Sequence, residues 1–512
     1  MFSLAISWII IQLAPRCKLI AFPLPLQPRL PTIEGNVDYR EFERQLQRID
    51  SLLLASSVET QFITLSVDHW LAKKQTDDSD ITPRQQIKFQ EHSRRALRCN
   101  IVRTLLQLGY RKLAVRLADS PLLQWFCGLS QLDKVTVPGK STLQRYETWL
   151  PEEQMRPLIE QLLCQGRDQA PVLQLAEPLD LETAFVDCTC VKADIHFPVD
   201  WVLLRDATRT LMQAVQLIRQ QGLTHRMAQP ARFITRMNQL CIKMTHSTRR
   251  TDSKKQRKQV LREMKRLTQV VRAHAQRYRA LLDEQWEKTD WTRPQAEQVL
   301  QRLDNVLSQL PAARHQAHER IIGERLVKNE DKILSLYEPD VQVVVRHKAG
   351  AEVEFGNPLL LAESVQGLIP DWELFADRVP SDPSLVKPCV QRIEKGLQQK
   401  LKGLGTDRGF DSAANRQWLG RKKIFNGICP RSPENLGARM TEPCFVALQK
   451  RRSQTEGRIS IFKNNFLGRP LRAKGFGHRA LAVSWAVLTH NLWVMARLPQ
   501  RPIASQELCR AA

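Results

Sequence analysis

The sequence lacks several features that would mark its class or its compartment. Its 11 cysteines form no CxxC pair and follow no regular spacing, which excludes a disulfide framework and a zinc ribbon. It contains no internal repeat or low-complexity tract. Beyond the first 22 residues no apolar run approaches the length of a transmembrane span. We therefore expect a large soluble protein of the reduced cytoplasm, without a membrane partner.

Acidic residues are scarce relative to basic ones. The chain carries 77 Lys and Arg against 53 Asp and Glu, a formal net charge of +24. This excess favours a polyanionic partner, with nucleic acid the leading candidate. A ribosome-associated or merely basic protein is the alternative. The 512 residues also predict two to four structural units, because one domain usually takes about 100 to 200 residues.

The first residues are apolar, but no basic segment precedes the run Phe2–Ile11, so they do not match a secretory signal. The run is too short to cross a bilayer, and four prolines follow it between positions 23 and 31. We interpret residues 1–37 as a poorly structured leader, which an upstream start codon would explain.

Residues 38–165 show the apolar spacing of helices. Short basic helices of this kind suit a helix-turn-helix DNA reader. The segment Pro138–Tyr146 predicts a turn that leads into a helix, with Ser141 or Thr142 as its cap and Arg145 available for a DNA phosphate. A plain helical scaffold accounts for the pattern equally well.

Near Leu181 the pattern changes to that of a buried strand, Thr183–Val191, with Asp187 in its middle. An acid within an apolar strand is expensive to bury, which indicates that Asp187 has a function. Cys188 and Cys190 would share one face of this strand. We interpret them as structural thiols rather than as half of a metal site.

Helical spacing returns in an insertion at about 206–329. Two apolar stripes predict a helical hairpin there, the first made of Val260, Met264, Leu267, Val271, His274, Tyr278 and Leu281, and the second of Val299, Leu303, Val306 and Leu310. Because His274 falls on the first stripe, we interpret it as a core histidine.

The outer face of the insertion is strongly basic. Its cations are Arg249, Arg250, Lys254, Lys255, Arg257, Lys258, Arg262, Lys265 and Arg266. This face is either solvated or grips a DNA backbone. The candidate DNA contacts are Lys254, Lys255, Arg257 and Lys258.

Strand patterns resume at Val341–Arg346 and Ala351–Gly356, joined by a glycine turn, and a third strand is predicted at Pro358–Ala362. Further along, glycines two positions away on either side flank Asp407. This places Asp407 at the end of a short strand, on a sharp turn.

Asp187, Asp407 and Glu456 form a candidate set for phosphoryl transfer. Three acids on separate elements can hold two Mg2+ about 3.5 to 4 Å apart, and hard cations prefer oxygen ligands. On one predicted helix that spans Phe445–Phe462, Arg452 and Lys463 would share a face with Glu456 and meet DNA phosphates beside the metals. From spacing alone, an ordinary salt-bridged helix face is the other interpretation.

The chain resembles the DDE transposases of bacterial insertion sequences, in the group whose last catalytic helix carries a Tyr-(2)-Arg-(3)-Glu-(6)-Lys signature. Arg452, Glu456 and Lys463 fall at those spacings, and Gln449 stands at the tyrosine position. Val186–Asp200 is similar to the family's first catalytic strand and to the His-aromatic-Pro-x-Asp stretch that follows it.

Thr406–Ser412 is similar to the family's turn around the second aspartate, with Asp411 interpreted as a helix cap. Lys474–His478 and Asn491 are similar to its tail. The resemblance covers roughly Tyr110–Arg497, and the order of the three acids makes it specific.

The resemblance implies an α/β RNase H-like catalytic core, a mixed sheet with flanking helices, that a helical insertion interrupts and an all-α DNA-binding region precedes. The expected boundaries are a leader at 1–37, a helical DNA-binding domain at 38–165, a catalytic domain at 166–480 with its insertion at about 206–329, and a C-terminal helix and tail at 481–512. Asp187, Asp407 and Glu456 would be the catalytic residues and the ligands of two Mg2+, for which Mn2+ can substitute.

The activity implied is metal-dependent cleavage of DNA at the terminal inverted repeats of an insertion sequence, followed by strand transfer to target DNA. The partner would be double-stranded DNA, the reacting form at least a dimer, and the location the cytoplasm, in association with the nucleoid. One alternative is a non-catalytic DNA-binding protein or repressor derived from a transposase. Another is an RNase H-like nuclease without strand transfer.

Overall fold

The computed structural model describes residue 30 and residues 32–74, 82–130, 134–247, 253–348 and 351–501. Within these ranges helix predominates over a mixed sheet, which agrees at this coarse level with the predicted combination of an α/β core and helical regions. The chain divides into an amino-terminal unit, Met1–Pro178 with Leu492–Ala512, and a sheet unit, Leu179–Asn491. The predicted leader, residues 1–37, lies mostly outside the described residues.

The amino-terminal unit is helical, as predicted for residues 38–165. Its helices are α1 (Val37–Ala55), α2 (Val58–Lys74), α3 (Pro83–Leu106), α4 (Tyr110–Asp119), α5 (Pro121–Phe126), α6 (Lys140–Glu147) and α7 (Glu152–Asp168). The capping prediction for α6 is wrong. Its N-cap is Gly139, without a side-chain hydrogen bond, and Ser141 and Thr142 lie inside the first turn, where they cannot cap it.

A buried ion cluster joins three helices of this unit. Arg98 of α3 donates from Nη1 to Asp50 Oδ1 (2.6 Å) and from Nε to Glu59 Oε2 (2.6 Å), and Nη1 also donates to the carbonyl oxygen of Phe126 (2.8 Å). Burial lowers the pKa of Arg98, but the combined effect of Glu59 and Asp50 is larger and raises it. The pKa therefore lies above its usual value. The guanidinium therefore stays charged and has three acceptors in an apolar surrounding.

The sheet of the second unit is mixed. Its described strands are β1 (Thr183–Lys192), β2 (Gln342–Lys348), β3 (Ala351–Glu363), β4 (Asp371–Leu374), β5 (Gly403–Thr406) and β6 (Phe425–Ile428). The order is β2-β3-β1-β5-β6. β4 also pairs with β3, along the part of β3 that follows its pairing with β2. β2, β3 and β1 run antiparallel, whereas β5 and β6 run parallel to β1. Thus β1 lies in the interior of the sheet, as its apolar sequence predicts.

β3 is longer than predicted, and the separate strand predicted at Pro358–Ala362 is wrong. The strand continues through Pro358 and pairs with β1 over Gly356–Glu363. Gly356 permits this because a Cβ there would lie 2.0 Å from the carbonyl oxygen of Val191. The glycine thus marks a close approach of two backbones inside a strand and not the end of the strand.

The insertion between β1 and β2 is a bundle with a core of its own. It contains α8 (Asp200–Gln220), α9 (Pro230–Ser247), α10 (Ser253–Gln285) and α11 (Arg293–Ala317). Its first helix thus begins six residues before the predicted boundary of about 206. α10 and α11 do pack together, but both also pack on α8, so the predicted hairpin is half of a larger bundle.

The buried face of α10 differs from the predicted stripe. Four predicted positions, Val260, Met264, Val271 and Tyr278, are buried. The other three, Leu267, His274 and Leu281, lie partly exposed at the edge of the face, and Thr268, Ala275 and Leu282 are buried instead. Small side chains at 268 and 275 let the neighbouring helices approach closely. His274 is partly buried and packs edge-on against Phe233 at the edge of the core, with ring centroids 5.6 Å apart, so it is a packing histidine at the margin of the core rather than in its centre.

The remaining helices flank the sheet. They are α12 (Asp382–Leu397), α13 (Ala413–Lys422), α14 (Pro433–Arg439), α15 (Pro443–Arg452), α16 (Thr455–Phe462) and α17 (Phe476–Arg497). The side chain that caps α13 is Ser412, which accepts from the backbone N–H of Asn415. The prediction of Asp411 as the cap is therefore wrong, and Asp411 instead pairs with Arg416.

α17 contributes a long buried face. Asn491, at the end of the sheet unit, is fully buried. It accepts from the backbone N–H of Ile369 (2.8 Å) and donates to the carbonyl oxygen of the same residue (2.9 Å). None of the helices in the described ranges is long and apolar enough to cross a membrane.

Candidate active site

Asp187 lies on the central strand of the sheet. Asp187 of β1 pairs with Leu361 of β3 on one side. On the other side the preceding residue, Val186, pairs with Thr406 of β5. The Asp187 side chain is 16% exposed, and its Oδ1 accepts from the backbone N–H of Cys188 (2.7 Å). The carboxylate is thus held at a fixed point of a rigid element with one oxygen, Oδ2, directed elsewhere.

Asp407 follows β5 directly, as the sequence predicts. It is the N-cap of a short 3-10 turn, Arg408–Phe410, and its Oδ1 accepts from the N–H of Gly409 (2.8 Å). Because β1 and β5 are parallel and Val186 pairs with Thr406, the residues that follow, Asp187 and Asp407, lie side by side. Strand pairing thus brings together two acids that are far apart in the sequence.

Two glycines bring α15 down onto these strands. A Cβ at Gly405 would lie 2.8 Å from Cδ1 of Phe185 and 3.9 Å from Cβ of Arg452, and a Cβ at Gly427 would lie 2.9 Å from Cδ1 of Leu448. Larger residues in β5 or β6 would push the helix outward. The glycines therefore set the position of Arg452 over the ends of the strands.

Arg452 lies between the two aspartates. Its Nη2 is 3.7 Å from Oδ2 of Asp187 and 3.7 Å from Oδ2 of Asp407. Two carboxylates therefore converge on one position that a cationic nitrogen takes. Carboxylate oxygens are the donors that Mg2+ and Mn2+ prefer, so this pair fits a divalent cation. Within the described ranges no group of three or more His, Cys, Asp or Glu side chains is close enough to hold a metal ion.

Glu456 lies on a different helix from Arg452, so the prediction of one helix over Phe445–Phe462 is wrong. α15 ends at Arg452 and α16 begins at Thr455. The break removes the shared face predicted for Arg452 and Glu456. Glu456 is exposed in the first turn of α16, and its charge is among the causes that raise the pKa of Asp187. Glu456 therefore affects the ionisation of Asp187 from an exposed position at the edge of the site.

Asp187 has a strongly perturbed ionisation. Burial raises its pKa most, Arg452 opposes this, and the charges of Asp407 and Glu456 raise it further, to about 6. The order of these causes means that desolvation of the strand outweighs the nearby guanidinium. A buried carboxylate beside other carboxylates is typical of a site that awaits more positive charge.

Lys463 was predicted to share an exposed helix face with Glu456, and this prediction is wrong. Lys463 begins a π turn, Lys463–Leu467, after α16, and only 7% of the residue is exposed. Its Nζ donates to Thr189 Oγ1 (3.0 Å), on the same face of β1 as Asp187 and two residues along. Lys463 therefore joins the end of α16 to the central strand.

The α15–α16 break is fixed by Glu363 at the end of β3. Arg451 Nη1 donates to Glu363 Oε1 (2.7 Å), and Thr455 Oγ1 donates to the same oxygen (2.9 Å). The Arg451 guanidinium also stacks over Phe185, 4.7 Å from the ring centroid. One buried carboxylate therefore holds both sides of the break, and the break is a fixed feature of the site.

Gln449, at the tyrosine position of the signature, binds the sheet. Its Nε2 donates to the carbonyl oxygens of Thr406 (3.3 Å) and Gly427 (2.6 Å). These carbonyls lie at the carboxyl ends of β5 and β6. The Gln449 side chain therefore secures α15 to β5, which Asp407 follows, and to the adjacent strand β6.

Asp382 is a site residue that sequence reasoning missed. It begins α12, and a Cβ at Gly409 would lie 3.0 Å from Asp382 Oδ2 and 2.9 Å from Asp407 Oδ1. Burial and then Asp407 raise the pKa of Asp382, while a hydrogen bond with Cys188 opposes this. In the sequence Ser381-Asp382-Pro383 only a helix start is visible, because the contacts with Asp407 and Cys188 are tertiary.

The predicted DNA-contacting cations differ in how free they are. Arg145 is exposed on α6, with a hydrogen bond from Nη2 to Thr142 Oγ1 (3.3 Å). On α10, Lys255 is exposed, whereas Lys254 and Lys258 pair with Glu324 at 3.3 and 2.8 Å. Arg257 stacks over Trp201, 5.3 Å from the ring centroid. Arg249 and Arg250 lie outside the described residues. The basic face is therefore partly neutralised within the bundle.

A cleft of about 400 Å3 lies beyond the end of β1. Asp194, His196, Phe197 and Lys474 are among its lining residues, but neither Asp187 nor Asp407 is. This cleft is therefore separate from the converging aspartates, of which Asp187 is 16% exposed and Asp407 is 37% exposed.

Comparison of the chain with protein-family models, with curated proteins and with solved structures found no match in any of the three.

Proposed function

We propose that this protein is a DNA transposase of the DDE type, which cleaves the ends of an insertion sequence and joins them to target DNA. The observation that carries the proposal is the convergence of Asp187 and Asp407 on one cation position, with Glu456 within electrostatic reach. The motif order described above supplies the substrate class, and the net charge of +24 supports a polyanionic partner.

An RNase H-like core is part of the proposal. Its support is the strand order, in which three antiparallel strands, β2, β3 and β1, are followed by the parallel pair β5 and β6. The acids lie on the central strand and at the end of its parallel neighbour. The helical bundle between β1 and β2 would be an insertion into that core.

The chain's own residues would divide the work at the site. Asp187 and Asp407 would hold the cation, and Glu456 would complete the ligand set from the first turn of α16. Two bound Mg2+ would activate a water and stabilise the leaving oxygen of the phosphodiester. Arg452 would bind phosphate and so position the DNA, as would Arg145 and Lys255 at the other basic surfaces; such contacts set register rather than read sequence.

Lys463 has a different role from the one its signature position implies. Since it is buried and bonded to Thr189, it would secure α16 to β1 and so fix the approach of Glu456, rather than meet DNA directly. The proposed partner is double-stranded DNA, the reacting form at least a dimer that pairs two ends, and the location the cytoplasm in association with the nucleoid.

The test is an assay of purified full-length protein on labelled DNA that carries the ends of the element encoding it, with Mg2+ or Mn2+. We expect metal-dependent cleavage at the end and transfer of the freed 3′ end to target DNA. Glu456→Gln should abolish both. Lys450→Gln, which removes one exposed charge from α15, should leave both within about threefold.

The other outcomes each identify a different protein. DNA binding without cleavage by either the wild type or Glu456→Gln would indicate a DNA-binding protein or repressor derived from a transposase. Cleavage without joining would indicate a nuclease. If the protein neither binds nor cleaves this DNA, the proposal as a whole is refuted.

A further inference from the structure

The two neighbouring arginines at the end of α15 are held very differently. Arg451 makes hydrogen bonds of 2.7 to 2.9 Å to Glu363 and to the carbonyl oxygens of Ser364 and Val365. Arg452 is 3.7 Å from each of its aspartates, which is longer than the usual 2.7 to 2.9 Å of a charged hydrogen bond. Its Nε is buried and has no hydrogen-bond partner among the described residues.

Electrostatic attraction therefore holds Arg452 in place without the directional bonds that would fix its orientation. The side chain is 18% exposed, and Asp407, on one side of it, is 37% exposed. The guanidinium thus has a route to the surface on that side. A long arginine side chain can turn outward there without any change in the backbone.

We propose that Arg452 is an exchangeable counter-ion, which neutralises Asp187 and Asp407 in the metal-free protein, yields its place to a divalent cation and then turns to a DNA phosphate. The proposal rests on the proposed function, since it concerns the same aspartates, and it adds a coupling between metal binding and DNA binding. One residue would serve first as a stand-in for the metal and then as a phosphate ligand.

Exchange follows from space and charge. Mg2+ takes its oxygen ligands at about 2.0 to 2.1 Å, so a cation between Asp187 and Asp407 would occupy the volume that Arg452 Nη2 now fills. A guanidinium and a divalent cation a few ångströms apart also repel each other strongly in a partly buried site. The two cations therefore compete for the same carboxylates.

The displaced guanidinium has a natural acceptor. Its planar N–H donors bind two oxygens of a phosphate side by side, which lysine cannot do. A DNA strand whose phosphate reaches the metal site would pass the end of α15, where Arg452 is anchored. Metal loading would thus release a phosphate-binding group at the point where the substrate arrives.

The test measures Mn2+ binding to the full-length protein by the electron paramagnetic resonance signal of free Mn2+, with melting temperatures in EDTA and in rising Mn2+. Arg452→Gln removes the competing charge, so we expect it to bind Mn2+ roughly tenfold or more tightly than the wild type. Its melting temperature should fall in EDTA and recover with Mn2+. Lys450→Gln, with the same charge change on the same helix, should match the wild type in both.

A second variant guards against misfolding of the first. Arg452→Lys keeps the positive charge but not the planar donors, so its Mn2+ affinity should stay near that of the wild type while its affinity for DNA in the presence of Mn2+ falls. Equal or weaker Mn2+ binding by Arg452→Gln, with saturable binding by the wild type, would overturn the exchange and leave the proposed function intact. If the wild type does not bind Mn2+, or if Asp187→Asn binds it equally well, the result would instead count against the metal-dependent function itself.

Discussion

Replacing Asp187 by asparagine should stabilise the metal-free protein at neutral pH. Burial is the main cause that raises the pKa of Asp187 from 3.8 to about 6, with Arg452 opposing and Asp407 and Glu456 adding to it. A carboxyl whose pKa is higher in the folded than in the unfolded state favours folding only while it is protonated. Its contribution is therefore fully present below about pH 4 and is lost as the pH rises through about 6.

The size of the effect follows from the shift. One pKa unit corresponds to about 1.4 kcal/mol, so the ionised Asp187 lowers the free energy of unfolding by roughly 3 kcal/mol at pH 7. In domains of about 150 to 250 residues 1 kcal/mol changes the melting temperature by about 2 to 4 °C. The sheet unit, Leu179–Asn491, is larger, so the lower figure applies and predicts a rise of roughly 6 °C for Asp187→Asn. The rise should shrink towards zero as the pH falls below about 4, where the wild-type carboxyl becomes protonated in both states.

Melting temperatures of both proteins in EDTA, taken at intervals from pH 4 to pH 8, test this directly. Asp377→Asn removes one carboxylate at an exposed position and serves as the control, with a melting temperature close to that of the wild type. If Asp187→Asn melts at or below the wild-type temperature at pH 7, or if its advantage does not depend on pH, then the desolvation argument for Asp187 is wrong.

Three further predictions concern other parts of the chain. Arg98→Met should lower the free energy of unfolding of the amino-terminal unit by about 3 to 5 kcal/mol, because it leaves buried carboxylates without a counter-charge; denaturant unfolding measures this, and a loss under 1 kcal/mol would contradict it. Gly405→Ala should destabilise the protein by about 1 to 3 kcal/mol and slow DNA cleavage, because the added Cβ overlaps a phenyl ring, whereas Gly420→Ala, with open space around it, should be neutral or stabilising by up to about 1 kcal/mol. Lys255→Ala should reduce the salt dependence of DNA binding by about one unit of slope, and Lys258→Ala should reduce it less, since Lys258 is already paired with an acid; equal slopes for the two variants would argue against a DNA contact on α10.

The elements whose signals are local could be predicted from the sequence. β1 was visible because small and β-branched residues surround Asp187, and the turn at Asp407 was visible because glycines flank it. The helices of residues 38–165 followed from apolar spacing. In each case the residues that define the element are adjacent in the chain or one turn apart, so no distant partner had to be known.

The break between α15 and α16 could not be predicted, because its cause is tertiary. Ser453 and Gln454 are not strong helix breakers. The interruption is held by Glu363, which lies about ninety positions earlier and binds Arg451 and Thr455 on its two sides. Asp382 was missed for the same reason, since only the fold brings it to Asp407.

The buried face of α10 illustrates a second limit. The predicted stripe took the larger apolar residues as the buried ones, but Thr268 and Ala275 are buried and His274 lies at the edge. Where several helices pack together, small residues mark the closest contacts because they let the backbones approach. Hydrophobicity alone does not distinguish such positions from the flanks of the face.

The position of the helical bundle between β1 and its partners also sets the order in which the protein forms on the ribosome. β1 ends at Lys192, and its antiparallel neighbour β3 begins at Ala351. At about 5 to 20 residues per second, roughly 8 to 30 s pass between their synthesis. The bundle has its own core and can fold during that interval, while β1 waits without either neighbour. Asp187 therefore cannot meet Asp407, which follows β5, until the bundle and β3 have already been made.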